Sequence, residues 1–286
     1  MESFAGKLAV VTGGGSGMGR ELVIQLAREG CSVATCDLRA EPVDETARLA
    51  EKDAPAGTEV TVHVCDVSNE AEVQAFRDDV VAQHATEHVN LVFNNAGIGG
   101  GGSFVTAPRE EWDRTFGVCW GGVYYCSRAF VPLLVASDDG YLVNTSSVNG
   151  FWALLAPGIP HTAYSSAKFA VKGFSEALLE DFRINAPHVK VAVVMPGHIG
   201  TDIVLNSIAA HGGPDAELMR PLGEAFRDSA PVSAADAATI ILDGVRAGKW
   251  RILVGDDAER LDAAVREAPE AAYGPGGPNI GGLGVA

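Results

Sequence analysis

Tyr164 and Lys168 stand four residues apart in the run AYSSAKFAV, and Ser147 closes the earlier run NTSS. At helical spacing the phenol and the amine share one face. That pairing suits hydride transfer on an alcohol or ketone, where one group takes the hydroxyl proton as hydride leaves carbon, or returns it in reverse. A free tyrosine, with a pKa of about 10, is a poor base at neutral pH. A lysine ammonium about 4 Å away is worth about 4 kcal/mol at an effective dielectric of about 20. That equals roughly three pKa units, so the expectation is a phenol drawn down toward working pH. Ser147 is expected to donate to the substrate oxygen and hold it against Tyr164. Any one of these residues alone is ordinary, a half-buried tyrosine or a solvated lysine. Their weight comes from what surrounds them.

The first companion is a place to hold a dinucleotide. Leu8 to Val11 is a short apolar run, as expected of a strand buried on both faces. Thr12 to Gly19 then places five glycines in eight positions, which breaks any regular element. Met18, Leu22, Leu26 and Ala27 recur at helical spacing, and Gly30 is placed to end the helix. A glycine turn feeding a helix N-terminus exposes bare N–H groups and the positive end of a dipole, which suits a pyrophosphate. A second strand, Ser32 to Cys36, leads into Asp37. An acidic residue there accepts hydrogen bonds from ribose hydroxyls and repels a 2′-phosphate. Asp37 therefore favours NAD over NADP, although Arg39 could pair with that phosphate.

The remaining elements alternate. A polar helix over 41–53 precedes a valine-rich strand over 59–65, with Asp66 after it placed to meet the adenine amino group. Asn69 and Glu72 form a capping pair for a helix to about Ala85, with Val73, Phe76, Val80 and Val81 as its buried stripe. A fourth strand over 89–93 ends in Asn94-Asn95-Ala96-Gly97, and a glycine loop over 99–102 follows. Pro108 opens a long helix to about Val135, with a break along it left open, and a fifth strand over 141–144 carries Thr145-Ser146-Ser147 at its carboxyl end, the ligand edge of a parallel sheet. An irregular apolar stretch over 151–161 precedes the helix of Tyr164 and Lys168, read as 163–185. A sixth strand over 189–195 closes with Pro196-Gly197. Residues 198–232 show no clean period and read as a substrate-binding lid, since so long a connection in a compact domain is usually functional. Ser233 and Asp236 cap a helix to about Ala247, followed by a strand over 251–254 and a helix over 256–267. The pattern predicts one α/β domain over 1–268, a Rossmann-type doubly wound sheet of seven parallel strands with helices on both faces. The tail over 269–286, rich in glycine, proline and alanine, reads as disordered or as an arm across a neighbouring subunit.

In this company the chain resembles the short-chain dehydrogenase/reductase family, in its compact single-domain branch. Thr12 to Gly19 (TGGGSGMG), with three residues between Gly13 and Gly17, matches that family's cofactor turn. NNAG, the trio Ser147, Tyr164 and Lys168, and Pro196-Gly197 match in order. The resemblance implies NAD(P)-dependent oxidoreduction, with Tyr164 as acid/base, Ser147 orienting the substrate and Lys168 also binding the nicotinamide ribose. It implies that Gly13, Ser16, Gly17, Met18 and Gly19 receive the pyrophosphate, and that Asp37 and Leu38 take the adenosine ribose. Asp66 and Val67 would hold adenine, and Asn95, Ala96 and Gly97 would line the ribose side. Pro196, Gly197, Ile199 and Thr201 would lie at the carboxamide end. Two features depart from the pattern. Cys119 stands where the family usually has an asparagine of a water relay to the lysine, and a thiol is a weak hydrogen-bonding group. The expectation is an active, slower enzyme, and a Cys119→Asn variant turning over more slowly than the parent would count against a handicap. The Ser147-to-Tyr164 gap is also longer than usual, and its extra residues read as a pocket wall.

The expected pocket residues are Ile98, Phe151, Trp152, Leu154, Leu155, Ile203, Val204, Leu218, Met219 and Phe226, with core or subunit interface as the alternative for each. Such an apolar set favours a secondary alcohol or ketone on a ring or lipophilic chain. His161 and His198 are further candidates for substrate contact, or structural hydrogen-bonding residues. No His, Cys, Asp or Glu cluster has metal-ligand spacing, so no metal is expected. The 286 residues carry a net charge of −16, which argues against nucleic acid or an anionic membrane as partner. No run approaching membrane-spanning length is expected. Five cysteines without CxxC spacing and no leader fit a reducing cytoplasm. By resemblance the chain is expected to form a homotetramer or homodimer through its long helices. Two rival readings stay open, an NADPH-dependent carbonyl reductase and a non-catalytic NAD(P)-binding sensor.

Overall fold

A computed structural model describes residues 1–154, 159–211, 216–273 and 277–278. The chain runs β1 (Leu8–Thr12), α1 (Gly17–Arg28), β2 (Ser32–Asp37), α2 (Ala40–Glu51), β3 (Val60–Val64), α3 (Glu70–Gln83), β4 (Leu91–Asn94) and α4 (Arg109–Phe116). It continues with α5 (Gly122–Val135), β5 (Gly140–Thr145), α6 (Thr162–Asn185), β6 (Val189–Pro196), β7 (Ile199–Gly200), α7 (Ile203–His211), α8 (Ala216–Asp228), β8 (Val232–Ser233), α9 (Ala234–Arg246), β9 (Arg251–Val254) and α10 (Asp256–Glu267). Seven strands form one parallel sheet in the order β3-β2-β1-β4-β5-β6-β9. The order reverses beside β1, so the carboxyl ends of β1 and β4 open the crevice where dinucleotides bind in such sheets.

Strand alternation feeds two cores. Ala9, Val11, Leu91, Phe93, Tyr141 and Val143 pack on one face with Leu22 and Leu26 of α1 and Ile241 and Leu242 of α9. Val10, Ala34, Val92 and Leu142 point the other way and meet Phe76 of α3, Phe130 and Leu134 of α5, and Phe182 of α6. Burial on both faces is why these strands are continuous apolar runs in sequence. The capping readings hold: Asn69 Oδ1 accepts from the Ala71 amide at 3.1 Å, and Ser233 Oγ accepts from the Asp236 amide at 3.1 Å. Gly30 follows α1 with φ +80°, a backbone that glycine adopts without strain.

The helix after Pro108 is broken, as the sequence left open, and Gly117–Gly121 between α4 and α5 is a π-turn. Three expectations change. Joined through that turn, Arg109–Val135 is long and apolar enough by length and composition to cross a bilayer, which corrects the expectation of no such run. Here its Val123, Cys126, Ala129, Phe130 and Leu134 are buried. The span 198–232 contains two helices, α7 and α8, and a small two-stranded sheet of β7 and β8. Ser207 is the buried residue of α7, which writes no apolar stripe into the sequence; α8 carries Leu218, Leu222 and Phe226 at helical spacing, although its described side chains are mostly exposed. The tail begins with an ordered 3₁₀ turn, Pro269–Tyr273, whose Ala272 is buried. Leu155 and residues 279–286 lie outside the described residues.

Candidate active site

The glycine turn is shaped by close backbone approach. A Cβ at Gly13 (φ +70°) would lie 2.8 Å from the Ala96 Cα, and one at Gly15 would lie 2.8 Å from the Asp37 carboxylate. Thr12 Oγ1 accepts from the Asn95 and Ala96 amides at 3.0 and 3.1 Å, tying the end of β4 to the end of β1. Arg20 donates to the Gly15 carbonyl at 2.6 Å and braces the turn from behind, while Thr46 Oγ1 donates to the Gly14 carbonyl at 2.8 Å. Asp37 is held at the end of β2 by the Gly15 amide at 3.0 Å and the Arg39 amide at 3.3 Å. Arg20 and Thr46 carry no signal in sequence, because each acts on a main-chain carbonyl of the turn outside any motif spacing.

These contacts border a crevice of about 300 Å³. Gly13, Ser16, Gly17 and Met18 form its turn side, with Asp37, Leu38, Asp66 and Val67 at one end. Asn95, Ala96, Gly97 and Thr201 line it as well, and so do Ile98 and Ile203 of the expected substrate wall. Gly19, Pro196, Gly197 and Ile199 lie outside that lining. Gly19 instead lets α1 pack against the Gly13 carbonyl, and Gly197 leaves room for the Asp257 carboxylate. Arg39, Cys65, Arg114, Val118, Asn206, Ala209 and Ala210 complete the lining; no motif marks them as cofactor contacts, and Arg39 alone was weighed in that role from sequence. The bare-amide turn, the room that only glycine leaves and the carboxylate after β2 fit an adenine dinucleotide.

The proton-transfer group sits beside the crevice on α6. Tyr164 and Lys168 are both buried, with the Lys168 ammonium 5.3 Å from the centre of the Tyr164 ring. Lys168 Nζ donates to the Thr145 carbonyl at 2.9 Å. A Cβ on the crevice-lining Gly97 would lie 3.5 Å from that nitrogen and 3.7 Å from Cys119 Sγ, so ammonium, thiol and crevice meet there. Ser147 ends the β5 segment, and its Oγ accepts from the Asn149 amide at 3.1 Å, opening a 3₁₀ turn over Val148–Gly150. Ser146 Oγ donates to the Lys168 carbonyl at 2.7 Å and locks that turn onto α6. Below, Asn94 Nδ2 donates to Asn144 Oδ1 at 2.8 Å and Asn144 Nδ2 to Ser175 Oγ at 3.0 Å, a buried chain joining β4, β5 and α6.

Electrostatics reverse one expectation. Burial pushes the Tyr164 phenol above its ordinary value, the Cys119 thiol adds to the rise, and the Ser147 hydroxyl opposes it. Burial also lowers Lys168, against the pull of Cys119. The expected lowering of the phenol assumed partners without desolvation, which here is the larger effect. His161 lies flat on Tyr164, ring centres 4.6 Å apart and planes 19° apart. Burial brings its pKa down to about 4, so it is neutral at ordinary pH. Cys119 lies in the π-turn and donates from Sγ to the Ile98 carbonyl at 3.1 Å; π-turns frequently mark functional sites.

Several expected pocket residues lie elsewhere. Trp152 is fully buried with Val148, Ala258 and Leu261, and its Nε1 donates to the Ala272 carbonyl at 3.0 Å. Phe151 and Leu154 pack on the same cluster, which is held by Asn149 Nδ2 donating to the Trp152 and Leu154 carbonyls. Leu218 and Met219 face outward. His198 is buried, its amide donating to Asp257 Oδ2 at 2.7 Å and its Nε2 2.6 Å from the Phe226 carbonyl, which is the structural reading of that residue. All five cysteines are free and buried.

Comparison with known proteins gives one answer. The family model for short chain dehydrogenases matches residues 7–211. A Mycobacterium tuberculosis protein named as an oxidoreductase, SadH, is 38% identical over 93% of this chain and 92% of its own length. Epidermal retinol dehydrogenase 2 of Homo sapiens is 33% identical over 70% of this chain and 62% of its own. A short chain dehydrogenase/reductase from Burkholderia phymatum, solved in complex with NAD, superposes with a TM-score of 0.83 at 30% identity, over 96% of this chain and 98% of that one.

Proposed function

Because this chain belongs to the short-chain dehydrogenase/reductase family and is therefore an NAD(P)-dependent oxidoreductase, we propose that it uses NAD to interconvert a hydrophobic secondary alcohol and its ketone. The observation that carries this reading is the burial of Tyr164 and Lys168 side by side, with Ser147 next to the phenol and Gly97 joining the ammonium to the crevice. A bound nicotinamide supplies the hydride acceptor or donor and, when oxidised, a positive charge. Ser147 holds the substrate oxygen against Tyr164. Tyr164 gives its proton to that oxygen during ketone reduction and takes it back during oxidation. Lys168 is fixed by the Thr145 carbonyl and stabilises the phenolate. The high phenol favours a retained proton until the alcohol and the nicotinamide charge are both in place.

Asp37 supports NAD over NADP, because its carboxylate sits at the end of β2 with two amides fixing it. The Burkholderia relative bound to NAD agrees with that choice. A hydrophobic substrate is supported by Ile98 and Ile203 on the crevice and by the relative named as a retinol dehydrogenase. Tyr124 of α5 and Phe169 of α6 are exposed aromatics, which supports a homo-oligomer packed through those helices. The span 198–232 acts as the substrate lid of a single domain over 1–268.

Purified protein incubated with NAD and a panel of lipophilic secondary alcohols, read by absorbance of the reduced cofactor, tests the reading. Turnover is expected. Cofactor binding without turnover on any alcohol or matching ketone would favour the sensor, and tighter NADPH binding would favour the carbonyl reductase.

A further inference from the structure

Asn206 on α7 occupies both ends of its side-chain amide across the crevice. Its Nδ2 donates to Ser16 Oγ at 3.1 Å, in the glycine turn. Its Oδ1 accepts from Arg39 Nη2 at 3.1 Å, beyond the end of β2. Ser16 stands at the N-terminus of α1 and makes no capping bond of its own with that helix, so its hydroxyl is available to α7. Arg39 and Asn206 both line the crevice, two residues from Asp37 in the first case. One neutral amide thus spans the turn suited to a pyrophosphate and the cation beside the carboxylate suited to a ribose.

We propose that Asn206 is a specificity-determining latch, which couples the seating of α7 to the substituent at the 2′ position of the adenosine ribose. The proposal rests on the reading of the crevice as a nicotinamide dinucleotide site. A free 2′-hydroxyl needs only Asp37, leaving Arg39 on Asn206 and α7 seated. A 2′-phosphate meets Asp37 as a like charge and requires Arg39 to turn toward it. Guanidinium and phosphate form a charge-assisted, often bidentate pair, stronger than guanidinium and a neutral amide. Arg39 then leaves Asn206, and α7 keeps only the Ser16 half of this hold. Asp37 repels the phosphate, and the latch adds a second penalty because the guanidinium must first be released. Two further ties, Ser207 Oγ accepting from the Gly99 amide at 2.7 Å and His211 Nε2 lying 2.8 Å from the Gly99 carbonyl, hold α7 to the glycine loop and do not involve Arg39. The discrimination is therefore assigned to Asn206 and not to α7 as a whole.

The experiment measures NAD and NADP affinities by calorimetry, and backbone deuterium exchange over 203–211 with each dinucleotide. It uses the full chain, Asn206→Ala, and Asn206→Ala with Arg39→Ala. In the parent, NAD is expected to slow exchange over 203–211 more than NADP does at equal saturation. Asn206→Ala is expected to narrow the NADP-to-NAD ratio of dissociation constants by about three- to tenfold, the range for one ordinary hydrogen bond. The same variant abolishes the difference in exchange, and adding Arg39→Ala widens the ratio again. An unchanged ratio in Asn206→Ala overturns the proposal. So does equal weakening of both dinucleotides, which would make Asn206 a general cofactor contact, and so does equal protection of 203–211 by both in the parent. A parent that binds neither dinucleotide overturns the reading beneath it instead.

Discussion

The site has two walls built in different ways: one beside the dinucleotide crevice carries the proton-transfer group, and the other borders the crevice itself. The wall of β5, the 3₁₀ turn and α6 is part of the core. Its Ser146, Ser147, Asn149, Tyr164 and Lys168 are buried, and most of their polar atoms are spent on one another or on nearby main chain. The wall of α7 borders the crevice with little apolar burial and is held by polar ties, Asn206 to Ser16 and Arg39, and Ser207 and His211 to Gly99, while Arg227 of α8 pairs with Asp202 just before α7 at 3.0 Å. Proton transfer needs groups fixed to a fraction of an ångström, and packing supplies that. Admission of a cofactor and a lipophilic substrate needs a surface that releases cheaply, and isolated hydrogen bonds supply that. The contrast predicts that damage to the first wall shows up in chemistry and stability, and damage to the second in binding.

The largest expected effect is at Tyr164. Tyr164→Phe keeps the ring against His161 and removes only the hydroxyl, so turnover should fall by about 10²- to 10⁴-fold. NAD affinity, measured separately by fluorescence titration, should stay within about threefold, because an aromatic ring of the same shape disturbs no packing. Residual turnover near that of the parent would move the proton-transfer role off this wall and break the comparison at its root.

His161 tests how tightly the first wall is sealed. Its pKa is lowered to about 4 by burial, so the folded state binds its proton less readily than the unfolded chain does. The sign follows: the contribution of the neutral imidazole is fully present above the ordinary histidine pKa of about 6.5 and is lost as pH falls from there toward 4. His161→Phe preserves the stack on Tyr164 and removes the titration. The stability difference between parent and variant, from urea unfolding, should therefore shift by up to about 3 kcal/mol in favour of the variant between pH 7 and pH 4. A pH-independent difference would mean that the imidazole reaches water when folded and that this wall is looser than drawn.

Gly150 sharpens the same side at smaller cost. A Cβ there would run into Ser146 Oγ and lie 2.9 Å from the Lys168 carbonyl. Gly150→Ala should lower stability by about 1–3 kcal/mol, as overpacking does, and should lower kcat with it, since the turn carrying Ser147 is pushed off α6. Lost stability with kcat intact would separate the turn from the chemistry.

The walls also differ in how far they could be read from sequence. Strands buried on both faces write continuous apolar runs, and Asn69 and Ser233 are capping signals with a local mechanism, so the sheet and most helices were legible. The trio on β5 and α6 was legible through spacing. Its electrostatics were not, because residue types give the partners of Tyr164 and not its desolvation. Trp152 stayed open between pocket and core for a related reason: its neighbours Ala258, Leu261 and Ala272 lie more than a hundred residues on, and a tryptophan among prolines looks the same whether it lines a pocket or fills a core. α7 buries too little to leave a period, Pro221 and Gly223 disguise the Leu218, Leu222, Phe226 stripe of α8, and Asn206 has no motif at all.

The smallest expected effect belongs to the second wall, and it is the one that most directly separates the two. Ser207 Oγ accepts from the Gly99 amide at 2.7 Å and donates to the Ile203 carbonyl one turn back in α7. Ser207→Ala removes the tie between α7 and the glycine loop and leaves the Gly99 amide to find water at the crevice edge. One such bond contributes about 1 kcal/mol or less to stability. The melting temperature should therefore move by no more than about 4 °C. KM for the alcohol should rise by about two- to fivefold, because a less firmly seated α7 lowers the fraction of molecules ready to bind, while kcat changes little because Tyr164, Lys168 and Ser147 are anchored elsewhere. A fall in kcat with KM unchanged would mean that α7 takes part in positioning the reacting atoms, and the division between a packed catalytic wall and a hydrogen-bonded binding wall would fail at that point.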